Sequence, residues 1–191
     1  LVPSALRAPV RLTAGVRPHK QVLSKQGGSM KIRPFAPGDE HAICDIYNHY
    51  IARTVVTFEE TPLSAQQMRE RINSYLTSYP WFVCVIDGAV VGYSYASKFH
   101  QRSAYRHTAE LTVYVREGLE RKGVGRQLYE PLISHLQAHD CHVMLAAIAL
   151  PNAGSVALHD KLGFSKVAHF SQVGHKFGQW VDVGYWQRVI S

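Results

Sequence analysis

The apolar positions change period several times along the chain, and each change marks an element. Lys31-Ile32-Arg33-Pro34-Phe35 alternates as a short strand. After Pro37-Gly38-Asp39, the residues Ala42, Ile43, Ile46, Tyr47 and Tyr50 recur at helical spacing and predict the buried stripe of a first helix. Residues 54–62 read as a loop with a β-like centre. Ser64 is placed to cap a second helix that runs to about Tyr79, where Pro80 stops it.

The period then drops to two. Residues 81–86 and 90–97 flank Asp87-Gly88, a dipeptide that favours the tight turn of an antiparallel hairpin. A basic stretch over residues 98–107 leads to a further strand, Ala109-Glu110-Leu111-Thr112-Val113-Tyr114-Val115, rich in β-branched and aromatic side chains. The loop Arg121-Lys122-Gly123-Val124-Gly125-Arg126 follows, and a helix to about Ala138 turns Val124, Leu128, Leu132 and Leu136 inward. Pro131 lies inside that helix and predicts a kink near Gln127, whose carbonyl loses its N–H partner. Residues 143–150 form an unbroken apolar run, as in a strand covered on both faces. Asn152 begins a short helix ended by Gly163, and residues 164–189 read as two strands turned near Lys176-Phe177-Gly178. No segment repeats.

Length and composition bound this picture. The chain of 191 residues suits one buried domain, over residues 30–191, and its 46% apolar content contains no run near the roughly 20 apolar residues of a membrane helix. The net charge of +7 is unevenly placed. Five of the 21 basic side chains, Arg7, Arg11, Arg17, Lys20 and Lys25, lie in residues 1–29 without an acid, leaving 16 to face all 14 acids in the remainder. Such a balance fits an anionic small ligand better than a nucleic-acid backbone. Residues 1–29, with Pro3, Pro9, Pro18 and a Gly27-Gly28-Ser29 end, read as a disordered leader. They suit an expression-derived or upstream-translated extension, with an Arg-rich, acid-poor transit peptide as the alternative. Cys44, Cys84 and Cys141 form no Cys-x-x-Cys pair and read as reduced, mostly buried thiols of a cytoplasmic protein.

Several residues carry candidate chemistry. Gly123 and Gly125 let the backbone approach a ligand at a helix start, where unpaired N–H groups and the helix dipole favour a pyrophosphate. Arg121, Lys122 and Arg126 add positive field. Taken alone, a Gly-x-Gly is more often an ordinary helix-start loop. Glu110, on spacing alone, is a solvent-facing strand carboxylate or a partner of Arg106. Lys98, His100, Arg102, Arg106 and His107 form either a solvated turn or a clamp for an acidic or strongly polar amino acid, which arginine binds bidentately. His139-Asp140-Cys141-His142 lacks a second ligand pair, so no metal is expected.

The order strand, two helices, three antiparallel strands, helix, strand, helix and closing hairpin resembles the GCN5-related N-acetyltransferase (GNAT) superfamily, from about Lys31 to Arg188. A closer similarity, to the phosphinothricin and methionine sulfoximine acetyltransferases, is carried by several stretches in order. They are Thr54-Val55-Val56-Thr57-Phe58-Glu59, Tyr79-Pro80-Trp81, Gly92-Tyr93-Ser94-Tyr95-Ala96, Arg102-Ser103-Ala104-Tyr105, Leu150-Pro151-Asn152, Leu158-His159 and Gly174-His175-Lys176-Phe177-Gly178-Gln179-Trp180.

The resemblance implies an α/β (α+β) fold: a mixed, mostly antiparallel sheet of about seven strands, flanked by four helices and splayed between the fourth and fifth strands. It implies direct transfer from acetyl-CoA to a small-molecule amine, with Glu110 as general base. His159, as an imidazolium with a reference pKa of about 6.5, is expected to protonate the leaving thiolate. Val113, Tyr114, Val115, the loop Arg121 to Arg126, Asn152 and Ser155 are implied to hold the cofactor. Phe58, Arg102, Tyr105 and Thr112 are implied to line the amine pocket. On spacing alone, Phe58 and Tyr105 are equally core residues, His159 orients a neighbour, and Asn152 caps a helix. The family loop opens with Gln or Arg three residues before its first glycine. Here Glu120 stands there and is expected to point outward. A homodimer is implied, with neither nucleic acid nor membrane as partner. Acetylation of peptide amino termini and a non-catalytic CoA-binding sensor are the alternatives.

Overall fold

The computed structural model describes residues 29–190, so the expected leader, Ser29 apart, lies outside the described residues. Seven strands form one sheet in the order β1-β2-β3-β4-β5-β7-β6. Their ranges are β1 Lys31–Pro34, β2 Trp81–Ile86, β3 Ala89–Lys98, β4 Thr108–Val115, β5 Val143–Leu150, β6 Ser165–Lys176 and β7 Gln179–Val189. Four α-helices, α1 Asp39–Arg53, α2 Ala65–Leu76, α3 Val124–Ala138 and α4 Ala153–Lys161, connect and cover them.

Local chemistry accounts for most boundaries. Ser64 caps α2 in a reciprocal box with Gln67, each side chain bonding the other's backbone N–H. The helix ends at Leu76, short of the expected Tyr79. Asp87 and Gly88 both take positive φ, as the two-residue hairpin between β2 and β3 requires. α3 runs through Pro131 as one helix. Ile51, outside the expected stripe of α1, is 1% exposed, whereas Tyr50 is only half-buried.

α1 and α2 pack on one face of β2 and β3 through an aromatic column. Tyr75 of α2 stacks on Tyr95 at 5.3 Å, Tyr95 on Trp81 at 4.1 Å and Trp81 on Tyr93 at 5.4 Å. α3 supplies Tyr129, Leu132, Ile133 and Leu136 to a second core with Met144, Ile148, Phe164 and Trp186.

The topology makes one opening. β4 and β5 pair in parallel only where Thr108, Ala109 and Glu110 meet Val143, Met144 and Leu145. Beyond Glu110 the strands separate: β4 stays bonded to β3 as far as Val115, and β5 to β7 as far as Leu150. The backbone groups of β4 that face away from β3 therefore have no strand partner past Glu110. Such a splay is stable only where a ligand or water completes the hydrogen bonds.

Among the described residues, no helix is long and apolar enough to cross a membrane. All three cysteines are free thiols, Cys44 and Cys84 buried and Cys141 half-buried.

Candidate active site

The splay opens into a cavity of about 1450 Å³. It is lined by β4 from Glu110 to Val115, by the loop before α3, by Ala146 to Ala149 of β5 and by the start of α4. Residues 143–150, expected to be covered on both faces, are open at one point. Ala147 is exposed, and small alanine side chains make room for a ligand between the strands.

Glu110 occupies the last paired position before the strands part. Its carboxylate is half-buried and has neither a hydrogen-bond partner nor an ion pair among the described residues. Arg106 instead turns to the carbonyl of Ser103 at 3.5 Å. Burial raises the Glu110 pKa above the usual carboxylate range, with no neighbouring charge opposing it.

The part of the cavity beside α3 and α4 is built from helix starts. Gly123 caps α3 with φ 85, a left-handed conformation, and no side chain closes that end. The first-turn N–H groups therefore remain available to an anion. Arg121, Gly123, Gly125 and Arg126 line the cavity, and Arg126 is also paired to Glu130 at 2.9 Å. Lys122 and Val124 do not line it: Lys122 is exposed, and Val124 is buried in the core at 1% exposure. Glu120, expected to point outward, is exposed yet also lines the cavity, and its Oε2 accepts from the N–H of Gly118 at 2.8 Å, bracing the loop. Asn152 caps α4 by accepting from the Ser155 N–H at 3.0 Å, and both residues line the cavity. Lys161, which the sequence did not single out, adds a third cation to the lining.

His159 is 2% exposed on α4. Its Nδ1 lies 2.8 Å from the carbonyl oxygen of Ser155, which only accepts, so Nδ1 carries the hydrogen. Nε2, 3.2 Å from the Tyr129 hydroxyl, is left to accept from it. Burial lowers the His159 pKa, which favours the neutral ring. Against the expected imidazolium donor, desolvation outweighs the helix carbonyl and Asp160, which favour the charged form. Tyr129, fully buried, has its pKa raised by burial and stays protonated at the cavity wall. Only the packing of α3 on α4 brings the two residues together.

Of the four residues expected around the amine, Phe58 and Thr112 line the cavity, whereas Arg102 and Tyr105 do not. Those two flank and end the exposed 3-10 turn Ser103–Tyr105, where Tyr105 packs on Phe99 and His100. The wall is completed by Tyr95 and by Phe170, Val173, Val183 and Tyr185 of the closing hairpin, which sequence reasoning missed. The loop carrying Phe58 is tied down by Lys176 to the carbonyl of Thr57, by Tyr47 to Thr57 and Glu59, and by Arg71 to Glu59. The Phe58 ring lies where Gly174 has no side chain, since a Cβ there would stand 2.3 Å from it.

Among the described residues no group of His, Cys, Asp or Glu is arranged to hold a metal ion.

Comparison with known proteins agrees with this geometry. The family described as "Acetyltransferase (GNAT) domain" matches residues 32–184. A phosphinothricin N-acetyltransferase of Streptomyces viridochromogenes is 38% identical over 87% of this chain and 91% of its own length. An L-methionine sulfoximine/L-methionine sulfone acetyltransferase of Salmonella typhimurium is 35% identical over 83% of this chain and 93% of its own. Among solved structures, a GNAT superfamily phosphinothricin acetyltransferase from Sinorhizobium meliloti, in complex with acetyl-CoA, superposes with a TM-score of 0.82. It is 34% identical, covering 85% of this chain and 89% of that one.

Proposed function

The chain belongs to the GNAT acetyltransferase family and is an acyltransferase, and from that premise we propose that it carries the acetyl group of acetyl-CoA directly to the α-amino group of a small amino acid analogue. Phosphinothricin, methionine sulfoximine and methionine sulfone lead as acceptors. The observation that carries this reading is the solitary, desolvated carboxylate of Glu110 at the point where β4 and β5 part.

In this reading the pyrophosphate of acetyl-CoA rests on the start of α3 beside Arg121 and Arg126, with Asn152 and Ser155 along its pantetheine arm. Its thioester lies between the separated strands. Glu110 takes a proton from the substrate ammonium, directly or through water. The amine attacks the thioester carbonyl, and an unpaired β4 N–H, of Val113 or Val115, receives the developing oxyanion. Collapse breaks the carbon–sulfur bond and releases the thiolate. That thiolate takes the proton the nitrogen sheds as the amide forms, while Tyr129 swings its one O–H from His159 Nε2 to the sulfur as a hydrogen-bond donor, so His159 acts as a positioning residue. No acyl-enzyme is formed: burial raises the pKa of Cys84 and Cys141 alike, which leaves them poor nucleophiles. No metal takes part. A cytoplasmic homodimer that needs neither nucleic acid nor membrane completes the proposal.

The test follows CoA-thiol release from acetyl-CoA with the three analogues and an amino-terminal peptide. Saturation by an analogue, strongly reduced in Glu110→Gln, is the expected result. Preference for the peptide would replace the substrate class. Acetyl-CoA binding with no turnover on any amine would make the protein a sensor.

A further inference from the structure

The two strands of the closing hairpin are out of step. Phe170 pairs with Val183 and Gly174 with Val181, so Ser171, Gln172 and Val173 stand opposite Asp182 alone. A bulge of this kind leaves backbone groups without a ladder partner and re-aims the side chains at its ends. Here both ends matter, because Phe170 and Val173 line the active-site cavity. They do so from an edge strand most of whose residues face solvent, and they are themselves 49% and 59% exposed at the cavity rim.

One side chain closes the bulge. The Asp182 carboxylate accepts from the Gln172 N–H at 2.8 Å through Oδ1, and pairs with His169 Nε2 at 2.7 Å through Oδ2. Gln172 has φ 53, a left-handed conformation that a residue with a Cβ adopts only when its surroundings hold it there. His169 is steadied in turn by Lys166, whose Nζ lies 2.9 Å from Nδ1. The N–H of Gln172, with His169 beside it, holds the Asp182 carboxyl below the usual range, so the clasp is ionised at neutral pH.

We propose that Asp182 is a specificity-determining positioning residue: its carboxylate clasps the β6 bulge and so sets where Phe170 and Val173 wall the acceptor end of the cavity. This rests on the acetyltransferase reading for what the cavity holds, though not for the clasp itself. Asp182 does not itself line the cavity, and it stands opposite Leu150 at the end of β5, near Pro151 and Asn152. The side chains that the bulge aims into the cavity are those of Phe170 and Val173, so the acceptor KM is where the clasp should read out most strongly.

The experiment compares the full chain with Asp182→Ala and Asp182→Asn. Steady-state kinetics are run separately against acetyl-CoA and against each amine of the panel, with amide hydrogen exchange across residues 165–189 in parallel. Asp182→Ala removes both contacts, and the KM for the acceptor should rise about tenfold or more while kcat and the KM for acetyl-CoA move less than about twofold. The ranking of acceptors should also change. Asp182→Asn keeps an oxygen for the Gln172 N–H and should lie between the two. Exchange at Gln172 should quicken in Asp182→Ala, without loss of protection in β7. Equal loss of kcat for every substrate, or an unchanged acceptor KM, would overturn the proposal. If the wild-type chain acetylates no amine, the acetyltransferase reading fails by itself. Exchange then decides the clasp, and unaltered protection at Gln172 in Asp182→Ala would dispose of it.

Discussion

Lys176 Nζ donates to the carbonyl oxygen of Thr57 at 2.7 Å, a contact between residues 119 apart in sequence and both buried, at 1% and 8% exposure. It ties the closing hairpin to the loop between α1 and α2. Phe58, next along that loop, fills the space left by Gly174 two residues before the lysine. A buried ammonium is costly, and desolvation lowers the Lys176 pKa although Glu59 and Glu60 oppose it. The contact therefore serves to fix the Phe58 wall more than to add stability.

Lys176→Met keeps the length and apolar stem of the side chain but leaves the Thr57 carbonyl without its donor. Chemical denaturation should show a net change smaller than the roughly 1–3 kcal/mol of an orphaned buried group, because the desolvated charge is removed as well. The acceptor KM should rise while the KM for acetyl-CoA holds. Coinciding shifts in both KM values would show that the contact braces the whole cavity.

Glu110→Gln should lower kcat by about a hundredfold to ten-thousandfold, the range of a positioned general base. In the wild type, kcat/KM should climb with pH through a pKa above the ordinary carboxylate value, and the variant should lack that limb. Stability runs the other way. A carboxyl whose folded pKa is raised contributes stability that is present below its unfolded pKa and lost as pH rises through the folded one. At neutral pH the glutamine variant should therefore melt higher than the wild type, a gap that closes on acidification below about pH 4. A variant that melts lower throughout would mean that Glu110 is a structural carboxylate.

Much of this framework was legible in the chain, and the gaps have physical causes. Asp87-Gly88 announced the β2–β3 hairpin because both residues tolerate positive φ, and Ser64 with Gln67 announced α2 because the capping box is local. Glu110 was found because a family pattern surrounds it. The bulge at Ser171, Gln172 and Val173 left no mark, since its left-handed residue is a glutamine and its clasp, Asp182, lies beyond the hairpin turn. The pairing of Tyr129 with His159 depends on how α3 packs against α4, which periodicity does not encode. Arg102 and Tyr105 were drawn into the pocket by resemblance, whereas this chain holds them on an exposed turn outside it.

The neutral state of His159 has its own signature. Its folded pKa is depressed, so the stability it contributes is present above the unfolded value near 6.5 and lost as pH falls through the folded one. Activity should not decline as pH rises through 6.5, as it would if an imidazolium were the acid. Tyr129→Phe, which removes the hydroxyl, should lower kcat more than His159→Gln, which can still accept from it. A wild-type descending limb near 6.5 that disappears in His159→Gln would restore histidine as the proton donor.

Glu120 sets a negative charge in the cofactor loop, three residues before Gly123, while bracing that loop through the Gly118 N–H. Its two effects oppose one another and are separable, because glutamine keeps an acceptor oxygen and discards the charge. An exposed charge beside a pyrophosphate is screened by salt, so its removal is worth no more than about 1 kcal/mol. Glu120→Gln should therefore lower the KM for acetyl-CoA by up to about fivefold at low ionic strength, with the gain shrinking as salt is added. Glu120→Ala, which removes the brace as well, should lose that gain. If glutamine weakens acetyl-CoA binding as much as alanine does, the carboxylate's contribution is the shape it gives the loop, and its charge is too far from the pyrophosphate to matter.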